Sequence, residues 1–171
     1  MVLRALGTRE ELVATLRRME ASGLVRGTEG NVSARAGELV AVSPTSLRYD
    51  TLRPEDVSLV TAEGRLVEGR EPSVELPMHL AVLSARPEVG AVVHTHSPHA
   101  TASPSVPVAE GVSGTAELGA AVVAAAGDDD AVVMLGHGPV CFGADLAAAF
   151  ERAVALEEAA RRYRSGSDPS T

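Results

Sequence analysis

The sequence predicts a single α/β domain, and three observations predict it. Segments with apolar residues at helical spacing are interleaved with short runs in which side chains alternate in character at every second position. Several of the short runs are joined in pairs by glycine turns, which makes those pairs antiparallel. The 171 residues, 45% of them hydrophobic, are enough for one core without disulfides or structural metals, and they show neither an internal repeat nor a second domain. Aromatic residues make up only 2% and Trp is absent, so that core must be built from small aliphatics. Residues 1–164 are expected to form the domain, and 165–171 a frayed tail.

Each element has a local reason. Thr8 with Glu11 three residues on reads as a capping box, and Leu12, Leu16 and Met19 carry an amphipathic helix to Gly23. Gly27-Thr28-Glu29-Gly30-Asn31 is a tight turn opening onto an alternating strand over 31–35, which Gly37 reverses into a second strand over 38–42. After the Ser43-Pro44-Thr45-Ser46 turn, Pro54-Glu55-Asp56 makes a short helical turn, and a strand over 57–61 pairs through Ala62-Glu63-Gly64 with one over 65–67. Ser73 is the expected N-cap of a second helix with Leu76, Leu80 and Leu83 on its buried stripe, ended by Pro87. Residues 91–97 form a strand, 98–114 a Ser/Pro/Val-rich loop, 117–126 a third helix and 131–135 a strand. Gly136-His137-Gly138-Pro139 turns into a strand over 140–142, and Asp145 caps a last helix to about Tyr163.

Composition excludes several kinds of chemistry. The formal charge is −8 and the sequence pI about 5.1, which argues against a nucleic-acid or anionic-membrane surface and suits a small-molecule protein whose anion sites would use Arg. All fifteen basic residues are Arg, so neither a lysine Schiff base nor a P-loop lysine is available. The single Cys141 permits no internal disulfide. There is no signal-peptide core, and Asp128-Asp129-Asp130 interrupts the Ala/Val-rich stretch from 118 to 135, so no membrane span is expected and the cytoplasm is the expected location.

Chemistry concentrates at Val92-Val93-His94-Thr95-His96. Side chains two apart on a strand share a face with their stems about 7 Å apart, so His94 and His96 can chelate one ion, although the same pattern also occurs as a packed or surface pair. A catalytic zinc needs a third protein ligand, and His137, on a glycine-flanked strand end, is the best candidate. Glu75 is the carboxylate best placed to face the metal; a helix-dipole role is its alternative. His79, four residues on, shares its face and reads as an interior histidine bonded to backbone, and His99 as a loop residue or one behind the ligands. The Gly27–Asn31 turn could present N–H groups with Thr28 and Asn31 to an anion, or serve only to lead into the hairpin.

Taken in order, Gly27-Thr28-x-Gly30-Asn31-x-Ser33, Ser43-Pro44-Thr45, Tyr49-Asp50-x-Leu52, Pro54-Glu55-Asp56, Glu68-Gly69, Pro72-Ser73-x-Glu75-Leu76-Pro77-x-His79, Arg86-Pro87, Val92-Val93-His94-Thr95-His96-Ser97 and His137-Gly138 resemble the class II aldolase/adducin family, from about Glu10 to Tyr163. The resemblance implies a three-layer α/β/α fold with a central, mainly antiparallel sheet, assembled as a homotetramer with sites at subunit interfaces. It implies that His94, His96 and His137 bind zinc, or another divalent metal, and that Glu75 is the acid/base. It places Thr28, Asn31, Thr45, Ser46, Ser73 and Val74 where the family binds substrate phosphate. The implied reaction is cleavage or formation of a C–C bond in a small sugar phosphate or related hydroxy-carbonyl compound through a metal-stabilised enediolate. An epimerase, a dehydratase or a non-catalytic adducin-like interaction domain are the alternatives. The chain departs from the family pattern in three places. Val74 replaces a Ser, Ser46 replaces a Gly, and the segment after the histidine strand is short and carries no Tyr to donate a proton.

Overall fold

A computed structural model describes residues 3–102 and 106–166. In chain order its elements are α1 (Leu6–Ala21), β1 (Asn31–Ala36), β2 (Leu39–Val42), a 3₁₀ turn (Pro54–Asp56), β3 (Ser58–Val60), β4 (Leu66–Glu68), α2 (Leu76–Ala85), β5 (Ala91–His94), a second 3₁₀ turn (Ala100–Ala102), β6 (Val108–Ala109), α3 (Ala116–Ala126), β7 (Ala131–Met134), β8 (Gly138–Gly143) and α4 (Leu146–Arg164). The strands form one sheet in the order β4-β3-β2-β1-β5-β8-β7-β6, antiparallel throughout except for the β6–β7 pair.

The sheet is buried on both faces, and strand alternation assigns each residue its layer. Val93 and Cys141 join Leu12, Leu16, Met19, Phe150 and Ala153 of α1 and α4 in one core. Val92 and Phe142, one position along, join Met78, Val82, Leu118 and Val122 of α2 and α3 in the other. This two-sided burial explains why β5 reads as a continuous apolar run rather than an alternating one. It is the three-layer α/β/α arrangement that the resemblance implies.

Several boundaries differ from the sequence reading. α1 begins at Leu6 with Ala5 in a left-handed conformation (φ 51°), so Thr8 and Glu11 lie inside the helix and form no capping box. Arg9 is the cause: its Nε donates to the Arg4 carbonyl at 2.8 Å, and its amide to the Ala5 carbonyl at 3.0 Å, which extends the helix toward the N-terminus. Ser73 does not cap α2, because its amide donates to the Ser43 carbonyl at 3.0 Å beside the Pro44–Pro72 bridge. That pairing keeps Ser73 extended, and the N-cap is Glu75. β5 ends at His94, since β1 begins at its partner Asn31 and offers nothing to pair beyond it.

The segment expected to be a loop contains the second 3₁₀ turn and β6, too short to leave a periodic signal, while residues 103–105 fall outside the described part. Of the expected tail, only Ser165 and Gly166 are described, as a turn after α4. No described helix is long and apolar enough to cross a membrane.

Candidate metal centre

Three backbone elements deliver four side chains to one end of the sheet. His94 ends β5, His96 follows two residues later, His137 sits in the turn between β7 and β8, and Glu75 caps α2. The His94 and His96 Nε2 atoms are 3.1 Å apart, as are those of His96 and His137. Glu75 reaches His94 Nε2 at 3.2 Å through Oε2 and His137 Nε2 at 3.5 Å through Oε1. The four ligand atoms lie within 4.8 Å of one another.

Two glycines permit this convergence. A Cβ on Gly138 would stand 2.1 Å from the Thr95 carbonyl oxygen, so only glycine brings the His137 turn against the His94–His96 segment. Gly30 (φ 73°) also passes close over the end of β5, where a Cβ would meet the His94 carbonyl at 2.6 Å.

The donor chemistry suits a divalent ion. His94 Nδ1 donates to the Pro139 carbonyl at 3.0 Å, which leaves Nε2 as a bare lone pair aimed into the cluster. Burial pushes the His94 imidazole down to about 3, and burial together with His137 lowers that of His96, so both are neutral ligands at pH 7. Burial works against ionising Glu75. The His94 imidazole and the hydrogen bonds from Asn31 and Ser113 outweigh it and hold the carboxyl at about 2, hence ionised. Tetrahedral zinc with Zn–N bonds of 2.0–2.1 Å separates ligand nitrogens by about 3.3 Å, close to the spacing of these imidazoles. Three imidazole nitrogens and one carboxylate therefore fit a catalytic zinc or a related divalent metal.

A cavity of about 320 Å³ opens over the cluster, lined by Glu75, His96 and His137 and by all six residues expected at the substrate phosphate, Thr28, Asn31, Thr45, Ser46, Ser73 and Val74. His94 lies beneath them, fully buried. Among the described residues no Arg lines the cavity, although the composition suggests Arg for anion sites. Its wall instead offers neutral hydroxyl and amide groups, with Glu29 and Glu75 as the charged residues. Ser46 sits at φ 58°, the left-handed conformation that explains why a glycine would be at home there.

Further partners become visible only in three dimensions. Asn31 Nδ2 donates to Glu75 Oε2 at 2.8 Å, and Ser113 Oγ donates to Glu75 Oε1 at 2.8 Å. Ser113 lies in the Ser/Pro/Val-rich stretch, where nothing in the sequence distinguishes it. His79 is indeed interior, but its partners are side chains and not backbone: Ser33 Oγ at Nδ1 and Asn31 Oδ1 at Nε2. The i, i+4 spacing from Glu75 was the available signal. His99 lies apart from the cluster and bonds Glu157 of α4 through Nδ1 at 2.6 Å. Tyr49 donates its hydroxyl to the Glu29 and Gly30 carbonyls, both at 2.7 Å, and so clamps the glycine turn.

Known proteins share this arrangement of chain. The pattern of the class II aldolase and adducin N-terminal domain matches residues 10–105 and 103–164. A 5-methylthioribulose-1-phosphate/5-deoxyribulose-1-phosphate aldolase of Rhodospirillum rubrum is 35% identical over 175 residues, covering 91% of this chain and 79% of that protein. A 5-deoxy-D-ribulose 1-phosphate aldolase of Bacillus thuringiensis serovar kurstaki is 37% identical over 177 residues, covering 91% and 83%. Among solved structures, an L-fuculose 1-phosphate aldolase superposes with a TM-score of 0.89 at 26% identity, over 96% of this chain and 88% of that one. With a family pattern spanning nearly the whole chain and a matching fold around one histidine cluster, the chain belongs to the class II aldolase and adducin family.

Proposed function

We propose that this protein is a metal-dependent aldolase that cleaves and forms the C3–C4 bond of a 5-deoxy or 5-substituted ribulose 1-phosphate, the substrate class named in its relatives. The observation that carries the reading is the convergence of three imidazole nitrogens and one ionised carboxylate in a cavity walled by hydroxyl groups. His94, His96 and His137 hold the ion, which is zinc in this reading. When bound, it supplies a Lewis acid that polarises the substrate carbonyl and lowers the cost of developing negative charge by several kcal/mol.

The protein's own groups do the rest. In cleavage the C4 hydroxyl loses its proton, the C3–C4 electron pair moves toward the C2 carbonyl as the aldehyde departs, and C3 is protonated to give the ketone phosphate. Glu75, ionised and held at both oxygens, is the base that takes and returns that proton. Thr28, Thr45, Ser46 and Ser73, with the N–H groups of the glycine turn, bind the phosphate oxygens. Val74, 69% exposed, lines the cavity and offers an apolar border suited to the deoxy or thioether end of the sugar. The protein works in the cytoplasm as a homotetramer of 17.6 kDa chains.

The test combines zinc-loaded protein with 5-deoxyribulose 1-phosphate and, in the reverse direction, dihydroxyacetone phosphate with short aldehydes, each with and without chelator. Chelator-sensitive appearance of two carbonyl fragments supports the reading, whereas return of an isomeric sugar phosphate identifies an epimerase instead. Metal analysis of the purified protein and light scattering test zinc and the tetramer.

A further inference from the structure

Three polar side chains form a single hydrogen-bonded file behind the Glu75 carboxylate. Ser33 and Asn31 lie two residues apart on β1 and share the face turned toward α2. His79, one turn beyond Glu75 on α2, lies across both of them, fully buried. Its Nδ1 meets Ser33 Oγ at 2.8 Å, its Nε2 meets Asn31 Oδ1, and Asn31 Nδ2 meets Glu75 Oε2 at 2.8 Å.

The donors in this file can be assigned without ambiguity. An ionised carboxylate only accepts, so the Asn31 amide must turn its NH₂ toward Glu75. Its carbonyl oxygen then faces His79, and a carbonyl only accepts, so Nε2 of His79 must carry the proton. Nδ1 is left bare and takes the hydroxyl hydrogen of Ser33. Reversing the Asn31 amide would set its oxygen against a carboxylate oxygen. Ser33 and His79 are fully buried, so a wrong pairing there strands a polar atom.

We infer that His79, as its Nε2–H tautomer, is a positioning residue for the reaction: it pins the Asn31 amide and through it the Glu75 carboxylate at the metal centre. Burial pushes His79 down to about 4, so it remains neutral and keeps this role across the physiological range. The inference rests on Glu75 being the acid/base of the proposed reaction, but the arrangement it describes exists in the protein without metal or substrate.

The experiment has two arms. In ¹⁵N-labelled wild-type protein without metal, the His79 ring should show a protonated Nε2 and a bare Nδ1; a protonated Nδ1 overturns the inference. In the metal-loaded enzyme, His79→Leu should lower kcat roughly 10–100-fold, the range found for groups that orient site residues from behind. KM and metal content should stay near wild type, and His79→Gln, whose amide can donate in place of Nε2–H, should recover most of the lost turnover. Equal kcat in the two variants, or a loss accounted for by lost metal, removes the role. If Glu75→Gln turns over as fast as wild type, the acid/base reading fails; if Glu75 is required and the His79 variants are indifferent, only this inference fails.

Discussion

Among the described residues, two buried charged clusters are built in opposite ways. Around Arg9, which is fully buried, every guanidinium nitrogen has a partner from its own chain. Nε donates to the Arg4 carbonyl at 2.8 Å, Nη1 to the Val57 and Pro54 carbonyls at 2.7 and 3.0 Å, and Nη2 to Glu68 at 2.7 Å. Around Glu75 the chain supplies donors to both carboxylate oxygens, yet leaves three imidazole nitrogens facing one another at 3.1–3.2 Å from their neighbours. The first cluster is closed, and its function is to join α1, the first 3₁₀ turn and β4. The second converges three imidazole nitrogens and a carboxylate oxygen, ligand atoms that one cation can satisfy together. Burial and charge alone therefore do not mark a site; what marks it is whether the acceptors outnumber the donors.

The largest effect expected from this contrast is on the open cluster. His94→Ala, or chelation of the wild type, should cost about 10³-fold or more in turnover, since the Lewis-acid stabilisation of several kcal/mol is lost. Elemental analysis should find the ion gone from the His94 variant. Glu75→Gln should come next, with kcat down about 10²–10⁴-fold and the metal still present; an active Gln variant would remove the carboxylate from the chemistry.

Arg9→Met probes the closed cluster. It should destabilise the fold by about 3 kcal/mol, because the Val57 carbonyl and Glu68 lose their partner, while kcat at a permissive temperature is unchanged. A drop in kcat without loss of stability would show that the two clusters are coupled.

Acid should separate them more gently. The folded-state pKa of His79 is depressed to about 4, below its unfolded value near 6.5, so the stability it contributes is complete above pH 6.5. As pH falls from 6.5 toward 4 that contribution is lost, at up to about 1.4 kcal/mol per unit. His94, pushed to about 3, adds a loss of the same sign in metal-free protein. Urea unfolding of metal-free protein at pH 7 and pH 5 should show the fall, smaller in His79→Gln and unchanged in slope in Arg9→Met. The smallest effect belongs to Ser46, whose left-handed backbone costs about 1 kcal/mol relative to glycine. Ser46→Gly should raise the melting temperature slightly and, by removing a hydroxyl from the cavity wall, raise KM for a phosphorylated substrate.

Much of the architecture was legible because it is written in short periods. The apolar run of β5, the stripe of α1, the glycine reversal at Gly37 and the Asp145 cap of α4 each depend on residues within one element, and the structure places each close to where the pattern puts it. Helix starts were less legible. Thr8 and Ser73 are good caps by local rules, but the Arg9 bonds to the Arg4 and Ala5 carbonyls and the distant Ser43–Ser73 pairing outweigh a capping contribution of about 1 kcal/mol. β6 was invisible, since two residues carry no period.

By itself the sequence determined the chemistry on offer: imidazole and carboxylate donors, no lysine, and two histidines one residue apart at the end of an apolar run. That His79 turns to Asn31 and His99 to Glu157, and that Ser113 reaches Glu75 from 38 residues away, were decided by the tertiary structure alone. The reason is physical. Side-chain periodicity reports which face a residue occupies, but the partners on that face come from strands and loops distant in sequence, brought together only when the sheet closes between its two helical layers.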